Sequence, residues 1–149
     1  MSLKSRLRDD MKAALRARDK DRLAVIRMAL AAIQQREVDE RIELDEPQTL
    51  AVLEKMIKQR RDSVSQFRAG GREDLATREE AEIGVLGDYL PEALTEEALD
   101  ALIDATIAKT GAASMKDMGR VMGEIKAQAS GRADMAAVSA RVKARLTGG

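Results

Sequence analysis

The C-terminal tail, residues 114–146, has the sequence SMKDMGRVMGEIKAQASGRADMAAVSARVKARL. Its apolar side chains recur at i, i+3, i+4 and i+7 before Gly131 and again after it, which predicts two amphipathic helices. Gly131 permits the left-handed backbone that ends a helix, and Asp134 is suited to cap the first amides of the next one. The tail is therefore predicted to be a helical hairpin.

The rest of the chain has the same periodicity, and no stretch alternates apolar and polar residues as a strand does. The predicted fold class is therefore all-α, with an N-terminal bundle of about four helices in residues 1–91 and a smaller three-helix domain in residues 92–149. We expect helices at about 4–16, 21–42, 49–69 and 74–90, then one that Thr95 caps and Gly111 ends, followed by the two tail helices. The second helix becomes polar after Gln34, so its C-terminal half is predicted to project into solvent.

Composition excludes several kinds of site. The chain has no Cys and no His, which excludes disulfides, thiolate metal sites and Cys-His catalysis. No apolar run approaches the roughly 18 residues that cross a bilayer, and the first residues lack a signal-peptide pattern. We expect a cytoplasmic protein with no membrane partner, no metal and no cofactor.

Charge is balanced overall but is distributed unevenly along the chain. Residues 1–36 carry ten basic and four acidic groups, residues 37–113 nine and nineteen, and residues 114–149 seven and three. Both ends are therefore basic. This pattern is typical of solvated helix faces, and it also fits a surface that binds nucleic-acid phosphates.

Gly119 and Gly123 lie one turn apart inside a predicted helix, where each glycine costs about 1 kcal/mol relative to alanine. Close approach by another helix or by an RNA backbone would explain them, and we interpret them as a close-packing pair. Arg132, in the loop before Asp134, has two interpretations. It binds a phosphate at the helix N-terminus, or it pairs with Asp134 or a nearby acid and stiffens the turn.

The segments Met118-Gly119-Arg120-Val121-Met122-Gly123-Glu124 and Gly131-Arg132-Ala133-Asp134 resemble the GatB/YqeY domain, the tail of the B subunit of tRNA-dependent amidotransferases. Tyr89-Leu90-Pro91, Arg27-Met28 and Lys58-Gln59-Arg60-Arg61 extend the likeness over nearly the whole chain, so that it is similar to free-standing YqeY-like proteins. The resemblance implies a tRNA-holding domain, and a family label of carbon-nitrogen ligase with glutamine as amido-N donor.

The resemblance favours phosphate contacts by three tail residues: Arg120, Lys126 and Arg132. Second-rank candidates are Arg141, Lys143 and Arg145. A further basic cluster, Lys58, Arg60 and Arg61, is explained most simply as a solvated helix face. Phe67 and Tyr89 are the only aromatic residues, so we expect recognition of the RNA backbone and not base stacking.

No nucleotide-binding glycine loop, Ser-Lys amidase pattern or nucleophile elbow occurs in the sequence. We therefore predict a non-catalytic accessory protein that binds tRNA, or a tRNA-protein complex, in translation. One alternative is an adaptor whose acidic helices bind a protein partner, through Glu79, Glu80, Glu82, Glu96, Glu97 and Asp100. Another is a tRNA-holding subunit of a glutamine-dependent amidotransferase.

Overall fold

The structure is a computed structural model that describes residues 2–148. Within that range every extended regular element is a helix, so the all-α prediction is confirmed. The helices are α1 (Leu3–Ala17), α2 (Lys20–Glu40), α3 (Glu46–Ala69), α4 (Glu73–Gly87), α5 (Glu96–Thr110), α6 (Met118–Ala129) and α7 (Met135–Leu146). A short 3-10 turn, Met115–Asp117, precedes α6.

The helices form two compact units, residues 1–90 and residues 91–149. The predicted division into a domain of residues 1–91 and a domain of residues 92–149 stays a prediction. The first unit contains α1 to α4 around an aliphatic core, in which Leu7, Ile26 and Leu53 are inaccessible to solvent. Leu15 was expected in this core but is 57% exposed, because it lies on the flank of α1 that faces solvent.

Helix α3 begins three residues before its predicted start. The Asp45 carboxylate accepts a hydrogen bond from the Gln48 amide at 2.9 Å, and the Gln48 side chain accepts one from the Asp45 amide at 3.0 Å. Pro47 lies in the first turn, where a missing backbone N–H breaks no helical hydrogen bond. This proline therefore starts the helix instead of preceding it.

The C-terminal half of α2 is mostly exposed after Gln34, as predicted, but two of its side chains contact other elements. Glu37 accepts hydrogen bonds from the Lys4 ammonium at 2.5 Å and from the Leu44 amide at 2.8 Å. Arg36 donates to the Gln48 carbonyl oxygen at 3.3 Å. These polar residues of α2 are therefore tied to α1 and to the start of α3, and a hydrophobicity pattern contains no information on such partners.

Tyr89 closes the core of the first unit just beyond the end of α4. The side chain is 3% exposed, its hydroxyl donates to the Asp10 carboxylate at 2.5 Å, and the Arg6 guanidinium lies 5.1 Å from the ring centroid. Burial, followed by the hydrogen bond to Asp10, raises the pKa of Tyr89 to about 12. Tyr89 therefore stays protonated and links α1 to the end of α4.

The second unit contains α5, α6 and α7 around a separate core. Ile103, Val121, Ile125, Val138 and Val142 are inaccessible to solvent there. The predicted caps are present: the Thr95 hydroxyl accepts a hydrogen bond from the Ala98 amide at 3.0 Å, and the Asp134 carboxylate accepts one from the Ala136 amide at 3.1 Å. Gly111 and Gly131 have positive φ angles of 66° and 78°, as the ends of α5 and α6 require.

Candidate nucleic-acid interface

Arg141 and Arg145 fasten α7 to α5. The Asp100 carboxylate oxygen Oδ1 accepts from Arg141 at 2.9 Å and from Arg145 at 3.2 Å. Arg141 also lies 3.4 Å from a Glu96 oxygen, and Arg145 pairs with Asp104. Acids of the same unit therefore neutralise both arginines.

Lys143 differs from the two arginines beside it in the sequence. It is exposed, and among residues 2–148 it forms no ion pair. It is thus the one second-rank candidate whose charge no acid of the described chain neutralises.

Arg132 anchors the loop between α6 and α7. Its Nε donates to the Glu92 carbonyl oxygen at 2.9 Å, and the Leu94 amide donates to the Arg132 carbonyl oxygen at 2.8 Å. The alternative of a pair between Arg132 and Asp134 is wrong, since the Asp134 carboxylate caps α7 and forms no ion pair with the guanidinium. Arg132 is held by a neutral carbonyl group, and no acid among residues 2–148 forms an ion pair with it.

Lys126 and Arg120 lie on α6 in different settings. Lys126 is exposed in the last turn and has no ion pair among the described residues. Arg120 lies 3.1 Å from the Asp117 carboxylate. Hydrogen bonds from the Ala113 and Ser114 amides, and then the charge of Arg120, lower the pKa of Asp117. Lys126 is therefore available to a ligand, whereas Arg120 already has an anionic partner.

Gly119 and Gly123 face solvent, and a Cβ atom added at either position would meet no atom within 4 Å. The close packing predicted for this pair is therefore not made within residues 2–148. The reason is that α6 packs through the opposite side, where Val121 and Ile125 are buried. The glycines leave an exposed strip of helix backbone instead.

The three residues of the basic cluster on α3 differ in burial and in their contacts. Arg60 is mostly buried and pairs with Glu82 of α4 at 3.3 Å. Lys58 is exposed, and Arg61 lines a shallow groove that includes Val64 and Ile83. The three side chains do not converge on one surface, so they form no single binding site.

Most of the acidic residues that were predicted to bind a protein partner form ion pairs within the chain. Glu80 pairs with Arg68, Glu82 with Arg60, and Asp100 with the α7 arginines. Only Glu79 and Glu97 of that set have no ion pair among residues 2–148. The acidic helices are consequently less negative at their surface than the sequence indicates.

No helix within residues 2–148 is long and apolar enough to cross a bilayer. No group of three acidic side chains there is placed to hold a metal ion.

Comparison with known proteins identifies the family. The model of the family described as Yqey-like protein matches residues 4–146, which is almost the entire chain. The chain belongs to the Yqey-like family. The relation to the amidotransferase B subunit stays an inference from the tail sequence.

Relatives of this Yqey-like chain include yeast proteins named "Altered inheritance of mitochondria protein 41, mitochondrial". The protein from Vanderwaltozyma polyspora is 33% identical over 119 residues, which cover 75% of this chain and 64% of the relative. The protein from Kluyveromyces lactis is 40% identical over 95 residues, which cover 61% of this chain and 51% of the relative. The chain thus spans about half to two thirds of the length of these relatives.

Two contacts of the candidate interface were not predicted from the sequence. Asp100 is the shared partner of two arginines that lie 41 and 45 residues away, and Glu92 holds Arg132 across 40 residues. The first contact had a signal in the sequence, because α5 is rich in acids and α7 is rich in bases. Nothing in the sequence indicated the second, since its acceptor is a backbone carbonyl group.

Proposed function

We propose that this chain is a non-catalytic accessory protein of translation that binds tRNA, or a tRNA-protein complex, through the phosphate backbone. The observation that supports the proposal best lies around the loop from α6 to α7. Lys126 and Arg132 are six residues apart there, and neither forms an ion pair among the described residues. Cations without anionic partners are the groups that gain most from a phosphate, because no existing ion pair must be broken first.

The exposed strip of α6 supports the proposal further. Gly119 and Gly123 present no side chain, so a sugar-phosphate chain could approach the helix closely. Lys126 lies on the same solvent-facing side of the helix, about 20° from Gly119 at 100° per residue. A ligand near the glycines would therefore lie within reach of an ammonium group.

The resemblance of the tail to the amidotransferase B subunit favours tRNA over other polyanions. It equally fits a subunit that holds tRNA for catalytic chains. Adding this protein to those chains with glutamine, ATP and mischarged tRNA tests that alternative, and increased amide formation would favour it. The adaptor alternative has less support, because internal ion pairs occupy most of the acids it requires.

The compartment of this chain stays open to test. The names of the yeast relatives describe mitochondrial proteins. The expectation of a cytoplasmic protein remains a prediction, which localisation of a tagged full chain in its own cell would check.

The salt dependence of tRNA binding tests the proposal. The double variant Lys126→Gln, Arg132→Gln removes both charges, while the glutamine side chain that replaces Arg132 retains an N–H donor for the Glu92 carbonyl oxygen. We expect the negative slope of log affinity against log salt to become shallower by about 1.4–1.8, since two phosphate contacts are lost and each contributes about 0.7–0.9.

The matched control is Lys55→Gln, Arg78→Gln, which removes two exposed cations from the other unit. It should leave the slope nearly unchanged. Equal slopes for the two double variants would reject phosphate binding at the α6–α7 loop.

A further inference from the structure

Three cations on α1 form a line along the helix. Arg8, Lys12 and Arg16 are exposed and occur at i, i+4 and i+8, so they lie on one side of α1 and about 6 Å apart along its axis. We call these three residues the α1 stripe. Both gaps are one turn, so the stripe covers about 12 Å.

Three cations of the first two helices have acidic partners, whereas Arg27 of α2 and the α1 stripe have none among residues 2–148. Lys4 pairs with Glu37, Arg22 with Asp88, and Arg36 with Glu40. Among residues 2–148 no acid forms an ion pair with Arg8, Lys12 or Arg16.

The nearest acids do not cancel the stripe. The charge of Arg8 contributes to the lowered pKa of Glu37, but the hydrogen bonds of that carboxylate go to Lys4 and Leu44. Asp9 is exposed at the edge of the stripe and also lacks an ion pair. The stripe keeps a net positive charge.

The stripe also weakens the helix that carries it. Like charges one turn apart repel and destabilise a helix. Burial of the side chains does not offset this repulsion, since all three are exposed, and the one hydrogen bond among them is a long contact from Arg16 to the Lys12 carbonyl oxygen at 3.4 Å. An external anion that neutralises the row would remove the repulsion.

We propose that the α1 stripe is a second binding surface for the RNA backbone, separate from the α6–α7 loop. This inference rests on the proposed function and adds a contact from the first unit. A regular row of cations matches the regular row of phosphates on a nucleic-acid strand.

A lipid surface fits the stripe less well than RNA does. A helix that binds a bilayer inserts an apolar face, whereas the apolar face of α1 is in the protein core through Leu3, Leu7 and Ala14. Leu15, 57% exposed, is the single large apolar residue of α1 left beside the stripe. The stripe therefore offers charge without an inserting surface.

The test is the triple variant Arg8→Gln, Lys12→Gln, Arg16→Gln in the full chain, with a fluorescein-labelled tRNA transcript as the probe. We expect the negative slope of log affinity against log salt to become shallower by about two to three, as for the loss of three phosphate contacts. The control Arg41→Gln, Lys55→Gln, Arg78→Gln removes the same charge from exposed cations elsewhere in the first unit. A slope change equal to that of the control would overturn the proposal.

The melting temperature shows whether the triple variant is folded. Loss of the repulsion in α1 should leave the melting temperature of the triple variant equal to that of the parent or higher. Stronger binding of the parent to anionic phosphatidylserine vesicles, or to a polyglutamate peptide, than to tRNA would overturn the assignment to RNA.

The two proposals fail in different ways. If Lys126→Gln, Arg132→Gln reduces the slope and the stripe variant does not, the second surface is rejected and the proposed function stands. If the parent binds tRNA without salt dependence, both are rejected.

Discussion

At the scale of single residues, Tyr89 gives the clearest stability prediction. Tyr89→Phe keeps the buried ring but removes the hydroxyl that donates to Asp10. We expect the free energy of unfolding to decrease by about 1.5–3 kcal/mol, the usual effect of losing a hydrogen bond to a charged group. Urea denaturation of the variant checks this, and unchanged stability would show that the hydrogen bond contributes nothing.

Glu37 makes stability dependent on pH. The hydrogen bond from Lys4, followed by the one from the Leu44 amide, lowers its pKa in the folded state. Its contribution is therefore fully present above the pKa of the unfolded chain and is lost as pH falls through the lower folded value.

We expect Glu37→Gln to reduce stability at neutral pH and to flatten the decrease of stability below about pH 4.5. Denaturation midpoints from pH 7 to pH 3 measure this, with Glu40→Gln as a control on the same helix. Parallel profiles for the parent and Glu37→Gln would contradict the role given to Glu37.

At the scale of helices, substitutions in α6 are expected to change protein stability and tRNA affinity in opposite directions. Alanine at positions 119 and 123 meets no atom within 4 Å, so the helix should gain about 1 kcal/mol at each position from the better propensity. If RNA approaches this strip closely, the same methyl groups weaken tRNA binding. We therefore expect Gly119→Ala, Gly123→Ala to melt at a higher temperature and to bind tRNA less tightly.

Calorimetry and a binding titration on the same sample measure both effects. An alanine pair that stabilises the protein and leaves tRNA affinity unaltered would show that no backbone lies against the strip. Ala127→Ser, on the same side of α6, is a suitable control, since it leaves both glycines in place.

The helices themselves were predictable because each one has its own local signals. The spacing of Val138, Val142 and Leu146 predicted the buried side of α7, and Asp134 predicted its first residue. The predicted start of α3 was wrong by three residues, because Pro47 is compatible both with a break between helices and with the first turn of a helix.

At the scale of the whole molecule, charge was the property that the sequence described least well. The composition located the basic segments but did not show which cations are neutralised by distant acids. The sequence ranks Arg141 and Lys143 equally as candidates for phosphate contact. In the structure Asp100 binds Arg141, whereas no described acid binds Lys143. Such pairings depend on how helices pack, which local patterns do not specify.

The available cations therefore form a smaller set than the sequence indicated. In the tail they are Lys126, Arg132 and Lys143, along with Lys116, and in the first unit they include the α1 stripe. The proposed tRNA binding depends on these unneutralised charges, because it uses no aromatic platform and no catalytic group.

The most direct measurement is the affinity of the full chain for tRNA from 50 to 300 mM salt. We expect log affinity to fall linearly with log salt, with a slope of about −2 or steeper that Lys126→Gln, Arg132→Gln brings closer to zero. An affinity that does not change with salt, or no detectable binding at 50 mM, would contradict binding of the tRNA backbone by this chain.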